Sequence, residues 1–200
     1  MEFDAFILIG GRSSRFGSDK ALADLGSVTL AENAARLLGD IPECKDITFV
    51  AANETQFAGA EMPQNVIADK NPGRGSWSGF QTALSASKRE MTFVLACDLP
   101  LLSKNLLERL VKAASDANAI AAVPLQPDGR LQPLCGMYRT IPVLKAVEET
   151  IGTAEHLPSL ISFVRELGLT IVGPSENTSP DEFLNVNTRE DLEKAKFLRS

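Results

Sequence analysis

Cysteine, histidine and excess positive charge are all scarce in this chain of 200 residues. Its three cysteines, Cys44, Cys97 and Cys135, are widely spaced and form no CxxC pair, and His156 is the only histidine. A disulfide framework and a structural zinc site are therefore not expected. Lys and Arg number 20 against 26 Asp and Glu, a formal net charge of −6. Nucleic-acid binders draw their affinity from neutralising phosphates, so no nucleic-acid partner is expected. An anionic ligand would have to be met by a few local cations or a metal ion. No apolar run approaches the roughly 20 residues of a membrane span. The opening MEFD is acidic and lacks the basic start of a signal peptide. These absences lead to the expectation of a cytoplasmic protein that does not engage a membrane.

What is present reads as an ordinary globular chain. The hydrophobic fraction is 44% and the charged fraction 23%, enough apolar material to argue against disorder. The length suits one domain over residues 1–200 that buries roughly 70% of its unfolded surface. Five short apolar runs, FDAFILIG (3–10), DITFVAA (46–52), NVIA (65–68), TFVLAC (92–97) and AIAAVP (119–124), lack clean alternation. Such runs suit strands covered on both faces. Between them TLAENAARLLGD, WSGFQTALSASK and KNLLERLVKAAS carry apolar residues at helical spacing. Alternating strands and helices predict βαβ units and a mostly parallel central sheet flanked by helices, an α/β fold. The second half is less regular. A strand within LQPLCGMYR (131–139) after a turn at PDGR, helices in PVLKAVEETI and LPSLISFVREL, and a strand at LTIVG (169–173) are expected. In NVNTREDLEKAKFL, Thr188 is an N-cap with Asp191 three residues on, close to a capping box.

The chemistry concentrates in GGRSSRFGSDK (10–20), which follows the first apolar run without a spacer. Gly17 is followed by Ser18 and Asp19, so the Walker spacing of a P-loop is not met. Adjacent Gly10 and Gly11 do not fit the G-x-G-x-x-G dinucleotide fingerprint, which argues against a dinucleotide-dependent oxidoreductase. Glycine amides can approach phosphate oxygens closely, and Arg12, Arg15 and Lys20 add charge. On spacing alone, a phosphate loop and a polar loop with solvated cations both stay open.

The segment LIGGRSSRFGSDKALADLG (8–26) resembles the signature loop of nucleotidyltransferases, and within them that of the molybdenum cofactor guanylyltransferases, L-A-G-G-x-S-x-R-M-G-x-D-K. Ile9 and Phe16 replace the alanine and methionine of that pattern with other apolar residues. Further stretches resemble the family in its order: VAAN ending at Asn53, IADKNPGRGSWSGFQTAL (67–84), LACDLPLL (95–102) and FLNVNTREDL (183–192). The chain departs from the pattern at Gly75-Ser76-Trp77, where the family has Gly-Pro-Leu.

That resemblance implies a Rossmann-like nucleotidyltransferase fold, and transfer of GMP from GTP to the terminal phosphate of Mo-molybdopterin with release of pyrophosphate. Bringing two anions together makes charge neutralisation the main catalytic demand. It implies Asp98, at a strand end, as a ligand of Mg²⁺, with Asn187 as a second ligand by analogy with sugar-phosphate enzymes and Asn185 shaping the loop. Magnesium keeps several waters and takes one or two protein ligands, so no dedicated cage is expected. Lys20 would lie against the triphosphate and Arg15 would balance charge on the pyrophosphate. Backbone groups of Leu8, Ile9 and Gly10 would meet the base, Gly11 would belong to the phosphate turn, and Asp69 would lie near guanine or ribose, with a turn aspartate as its alternative; for Asn53 a ligand contact and local turn formation both stay open. Cofactor-delivery proteins and molybdoenzymes are implied as further partners. Two other readings stay open: a cytidylyltransferase acting on molybdopterin or another phosphorylated acceptor, and a non-catalytic nucleotide-binding regulator. His156 is expected as a surface or capping residue and not a general base, Cys97 in packing, and Trp77 either beneath its helix, the favoured reading, or facing a ligand.

Overall fold

The computed structural model describes residues 1–10, 19–53, 65–71, 73–116 and 119–199. Seven strands form one sheet: β1 (Phe3–Leu8), β2 (Cys44–Ala51), β3 (Val66–Ala68), β4 (Met91–Ala96), β5 (Ala121–Pro124), β6 (Cys135–Arg139) and β7 (Thr170–Val172). Six α-helices accompany them: α1 (Leu30–Gly39), α2 (Ser76–Ala86), α3 (Lys104–Asp116), α4 (Thr140–Thr153), α5 (Leu160–Glu166) and α6 (Arg189–Arg199). The strand order is β3-β2-β1-β4-β6-β5-β7.

All six residues of β1 are buried, the mark of a strand covered on both faces. Its side chains divide by alternation. Phe3, Ala5 and Ile7 pack with Ala31, Ala34 and Leu38 of α1 and Leu106, Leu107 and Leu110 of α3. Phe6 and Leu8 face Trp77 and Phe80 of α2, Val143 and Val147 of α4, and Phe163 of α5. Gly79 of α2 rides on the end of β1. A Cβ there would stand 3.3 Å from Leu8 Cδ2, so the glycine lets helix and strand approach closely.

The expectation of a mostly parallel sheet holds, with β6 running antiparallel to both β4 and β5. The physical reason is the short link between β5 and β6. A tight turn closed by Gln126 N–H to Arg130 O at 2.8 Å returns the chain at once, and a parallel crossover needs a dozen or more residues. Gly129 takes the left-handed conformation this turn requires, with φ 82°. The strand itself is confined to Cys135–Arg139, shorter than the run from 131.

The chain order creates a switch point. β1 leads outward to β2 and β3, after which the chain returns to lay β4 against the other side of β1. The carboxyl ends of the strands beside such a reversal of strand order are the usual ligand position in open α/β sheets. The C-terminal segment is held near this edge by a separate cluster, Val186, Leu192 and Ala195 against Leu25, Val28 and Leu30. No helix among the described residues is long and apolar enough to cross a membrane.

Candidate active site

The residues singled out in the sequence emerge along one rim of the sheet. Leu8 pairs in register with Val50 and with Ala96, and Ala51 with Ala68. Ile9 and Gly10, Asn53, Asp69 and Asp98 therefore follow the carboxyl ends of four adjacent strands. β1 ends at Leu8, two residues before the apolar run does. Beyond it the amides of Ile9 and Gly10 both donate to Val50 O at 3.0 Å, and Leu8 O accepts from Cys97 N–H at 3.3 Å. A Cβ on Gly10 would lie 2.6 Å from Ala52 N. Only glycine lets the chain pass there.

Three distant segments converge beside Asp98. The Lys20 ammonium donates to Asp98 Oδ2 at 2.8 Å and to Asn187 Oδ1 at 3.1 Å. Each residue is placed by its own local structure. Lys20 opens a single 3₁₀ turn, Lys20–Leu22, with Ala21 buried beneath it. Asp98 follows β4 by two residues, and its carbonyl accepts from Val186 N–H at 2.8 Å. Asn187 precedes α6, where Thr188 and Asp191 form the expected reciprocal cap. Thr188 N–H donates to Asp191 Oδ2 at 2.8 Å, and Asp191 N–H donates to Thr188 Oγ1 at 3.1 Å. Asn187 N–H also donates to Asp191 Oδ2, at 2.9 Å. This bond, joined by those from Thr188, holds the Asp191 carboxyl below the usual carboxylate range.

Asp98 Oδ2 and Asn187 Oδ1 are hard oxygen donors already converged on one cation, the Lys20 ammonium. A carboxylate and an amide oxygen suit magnesium, which keeps most of its waters and needs few protein ligands. Among the described residues no three His, Cys, Asp or Glu side chains cluster to hold a metal ion. Asp98 and Asn187 are a pair of side chains whose oxygens could ligate a divalent cation.

Asp69 organises the next loop. Its N–H donates to Ala51 O at 2.8 Å, and its Oδ1 accepts from Asn71 N–H at 3.0 Å and Thr82 Oγ1 at 3.2 Å. One carboxylate oxygen thereby ties the end of β3 to α2. Asn53 is exposed two residues beyond β2. Gly11 and Arg15 lie outside the described residues. His156 is exposed between α4 and α5. Cys97 is buried, and burial pushes its thiol up to about 12, which makes it a packing group and not a thiolate nucleophile. Trp77 is 4% exposed. Its Nε1–H donates to Pro158 O at 2.8 Å, and its ring meets Phe163 edge-on at 4.9 Å. Packing beneath α2 is the observed state. What the sequence did not disclose is the contact of Lys20 with Asp98 and Asn187, since motif spacing carries no signal for pairings so distant in the chain.

The model of the MobA-like NTP transferase domain matches residues 5–166. A probable molybdenum cofactor guanylyltransferase of Carboxydothermus hydrogenoformans is 32% identical over 192 residues, covering 94% of this chain and 92% of that protein. Among solved structures, the molybdopterin-guanine dinucleotide biosynthesis protein A of Archaeoglobus fulgidus superposes with a TM-score of 0.79 at 22% identity, covering 98% of each chain. The 2-C-methyl-D-erythritol 4-phosphate cytidylyltransferase of Thermus thermophilus superposes at 0.70 with 18% identity, covering 97% of each. At these identities the two structures speak to the fold, which they share with the chain.

Proposed function

The chain belongs to the MobA-like NTP transferase family, and from that premise we propose that this nucleotidyltransferase moves GMP from GTP onto the terminal phosphate of Mo-molybdopterin in the cytoplasm. An oxygen of that phosphate attacks the α-phosphorus of GTP. The bond from the α-phosphorus to the bridging oxygen breaks, and pyrophosphate leaves with the electron pair. The product is a molybdopterin guanine dinucleotide. The attacking phosphate is already anionic, so the chain need not supply a strong base.

The observation that carries this reading is the convergence of Lys20, Asp98 and Asn187 at the switch point. Asp98 and Asn187 would hold Mg²⁺, which would supply charge neutralisation for the phosphates there. Lys20 would pass from the Asp98 carboxylate to the triphosphate when nucleotide arrives, and balancing the charge of the pyrophosphate is assigned to Arg15. Backbone groups of Leu8, Ile9 and Gly10, at the end of β1, are assigned to the base, and Gly11 to the phosphates. Asp69 and Asn53 sit on the loops nearest the nucleoside end. The guanine assignment is supported by relatives named as guanylyltransferases, and the cytidylyltransferases that share the fold make CTP the competitor to test.

Calorimetric titration with GTP, CTP and ATP in the presence of Mg²⁺, joined to pyrophosphate release with Mo-molybdopterin, tests the proposal. GTP should bind most tightly and alone support release. Equal weak binding of all three would remove the guanylyl assignment.

A further inference from the structure

A buried carboxylate stands beside the site and takes no part in the chemistry described above. Glu182 is 3% exposed, although its neighbour Asp181 lies near the surface and pairs with Lys194 at 2.8 Å. Glu182 Oε1 accepts from Ser103 N–H at 3.0 Å and also from the Ser103 hydroxyl. Ser103 is the residue before α3, and its Oγ accepts in turn from Leu106 N–H at 3.1 Å. The carboxylate therefore sits against the first turn of a 13-residue helix, where exposed amides and the helix dipole offset part of the cost of burying its charge.

Consider the two strands of chain this contact joins. Residues 98–103 run from Asp98 to Ser103, and residues 182–187 run from Glu182 to Asn187. They are pinned at one end by Ser103 and Glu182, and at the other by Val186 N–H on Asp98 O at 2.8 Å. The clamp thus spans the two segments that carry the two oxygen donors meeting Lys20. We propose that Glu182 is a positioning residue, which fixes the spacing of Asp98 and Asn187 by locking the C-terminal segment to the start of α3. This inference rests on the assignment of those two residues to the metal–nucleotide site. It follows that Glu182 acts on cation binding and turnover through geometry, and touches neither substrate.

The test compares wild type, Glu182→Gln and Glu182→Leu, with Val147→Ala in the opposite core layer as a control for stability alone. Melting temperature, kcat, KM for GTP, and Mn²⁺ affinity with a non-hydrolysable GTP analogue are read for each. Glu182→Gln keeps an acceptor at Oε1 and should stay within about threefold of wild type in kcat and Mn²⁺ affinity. Glu182→Leu should lose about tenfold or more in both, the scale expected for sub-ångström misplacement of catalytic groups, with KM for GTP changing far less. Val147→Ala should lose melting temperature without these losses. If Glu182→Leu behaves like Val147→Ala, the positioning role is wrong. Should Glu182→Leu fail to fold, Ser103→Ala, which removes one of the two donors, decides the matter by the same readouts. Full activity in Asp98→Asn would instead overturn the underlying site, a result distinguishable from any outcome at Glu182.

Discussion

Replacing Lys20 with methionine should raise the affinity of the free protein for a divalent cation while lowering its affinity for GTP. The opposed signs follow from where the ammonium sits. It contacts Asp98 Oδ2 at 2.8 Å and Asn187 Oδ1 at 3.1 Å, the same oxygens assigned to the metal. Without nucleotide, a metal ion must displace it. Lys20→Met removes the competitor and keeps a chain of similar length over Ala21. Both the Lys20 and Asp98 side chains are 19% exposed, so the contact is only partly screened by solvent. Charge-assisted hydrogen bonds contribute about 1.5–3 kcal/mol, and discounting for residual solvation leaves about 1–2 kcal/mol. That corresponds to a rise of about 5- to 30-fold in Mn²⁺ affinity without nucleotide.

With GTP present the sign reverses. The ammonium then has the triphosphate as partner, and its loss should weaken GTP by about tenfold or more, and GMP much less. Mn²⁺ titration by electron paramagnetic resonance, with and without GTP, measures the first effect, and calorimetry with GTP and GMP the second. Lower metal affinity of the free Lys20→Met protein would refute the competition. An equal loss for GTP and GMP would show that Lys20 does not reach the distal phosphates.

Other perturbations separate chemistry from packing. Asp98→Ala should cost about 10²-fold or more in turnover with an intact fold by circular dichroism, since the carboxylate is proposed as a metal ligand and its side chain, 19% exposed, is not part of the core; activity within about threefold would take it out of the mechanism. Trp77→Leu loses the bond to Pro158 O and the edge contact with Phe163. It should destabilise by about 1–3 kcal/mol, a fall of some 2–10 °C in melting temperature, while GTP affinity stays within about twofold. Asp191 provides the pH test, because backbone N–H of Asn187 foremost holds its carboxyl low in the folded state. A folded value below the unfolded one stabilises the protein above the ordinary carboxylate range and loses that contribution as pH falls through it. The melting-temperature gap between wild type and Asp191→Asn should therefore be present at pH 7 and close in acid, and a gap independent of pH would contradict the assignment.

The layers of the fold could be read from the sequence because each of the first five apolar runs contains a strand, and β1, β4 and β5 are buried almost throughout. β1 shows why: with Phe3, Ala5 and Ile7 on one helix layer and Phe6 and Leu8 on the other, no alternation survives in the sequence. The direction of β6 could not be read from its residues. It depends on the length and closure of the preceding turn, not on the apolar character of CGMYR. Trp77 was similarly undetermined by its surroundings in the chain, since its partners arrive some eighty residues later, Pro158 just before α5 and Phe163 on it.

The same distinction separates the parts of the site. Gly10 announces itself as one of a glycine pair directly after an apolar run, although the backbone that requires it, Ala51 and Ala52, belongs to the end of the neighbouring strand. Thr188 and Asp191 likewise advertise a cap within four residues. Asp181 and Glu182 advertise nothing. They are adjacent carboxylates in one loop, yet one pairs with a lysine near the surface and the other is buried against Ser103. Nothing in SPDEFLN distinguishes them, because the difference is made by α3 and by the path of residues 98–103. Side chains that answer local backbone demands announce themselves in sequence, whereas those that set the spacing between distant segments are identified only when the segments meet. The proposed site depends mainly on the second kind: Lys20, Asp98 and Asn187 each belong to a local motif, but the meeting of the Lys20 ammonium with the Asp98 and Asn187 oxygens comes from the sheet order, the Val186–Asp98 bond and the contact of Glu182 with Ser103 that is proposed to fix their spacing.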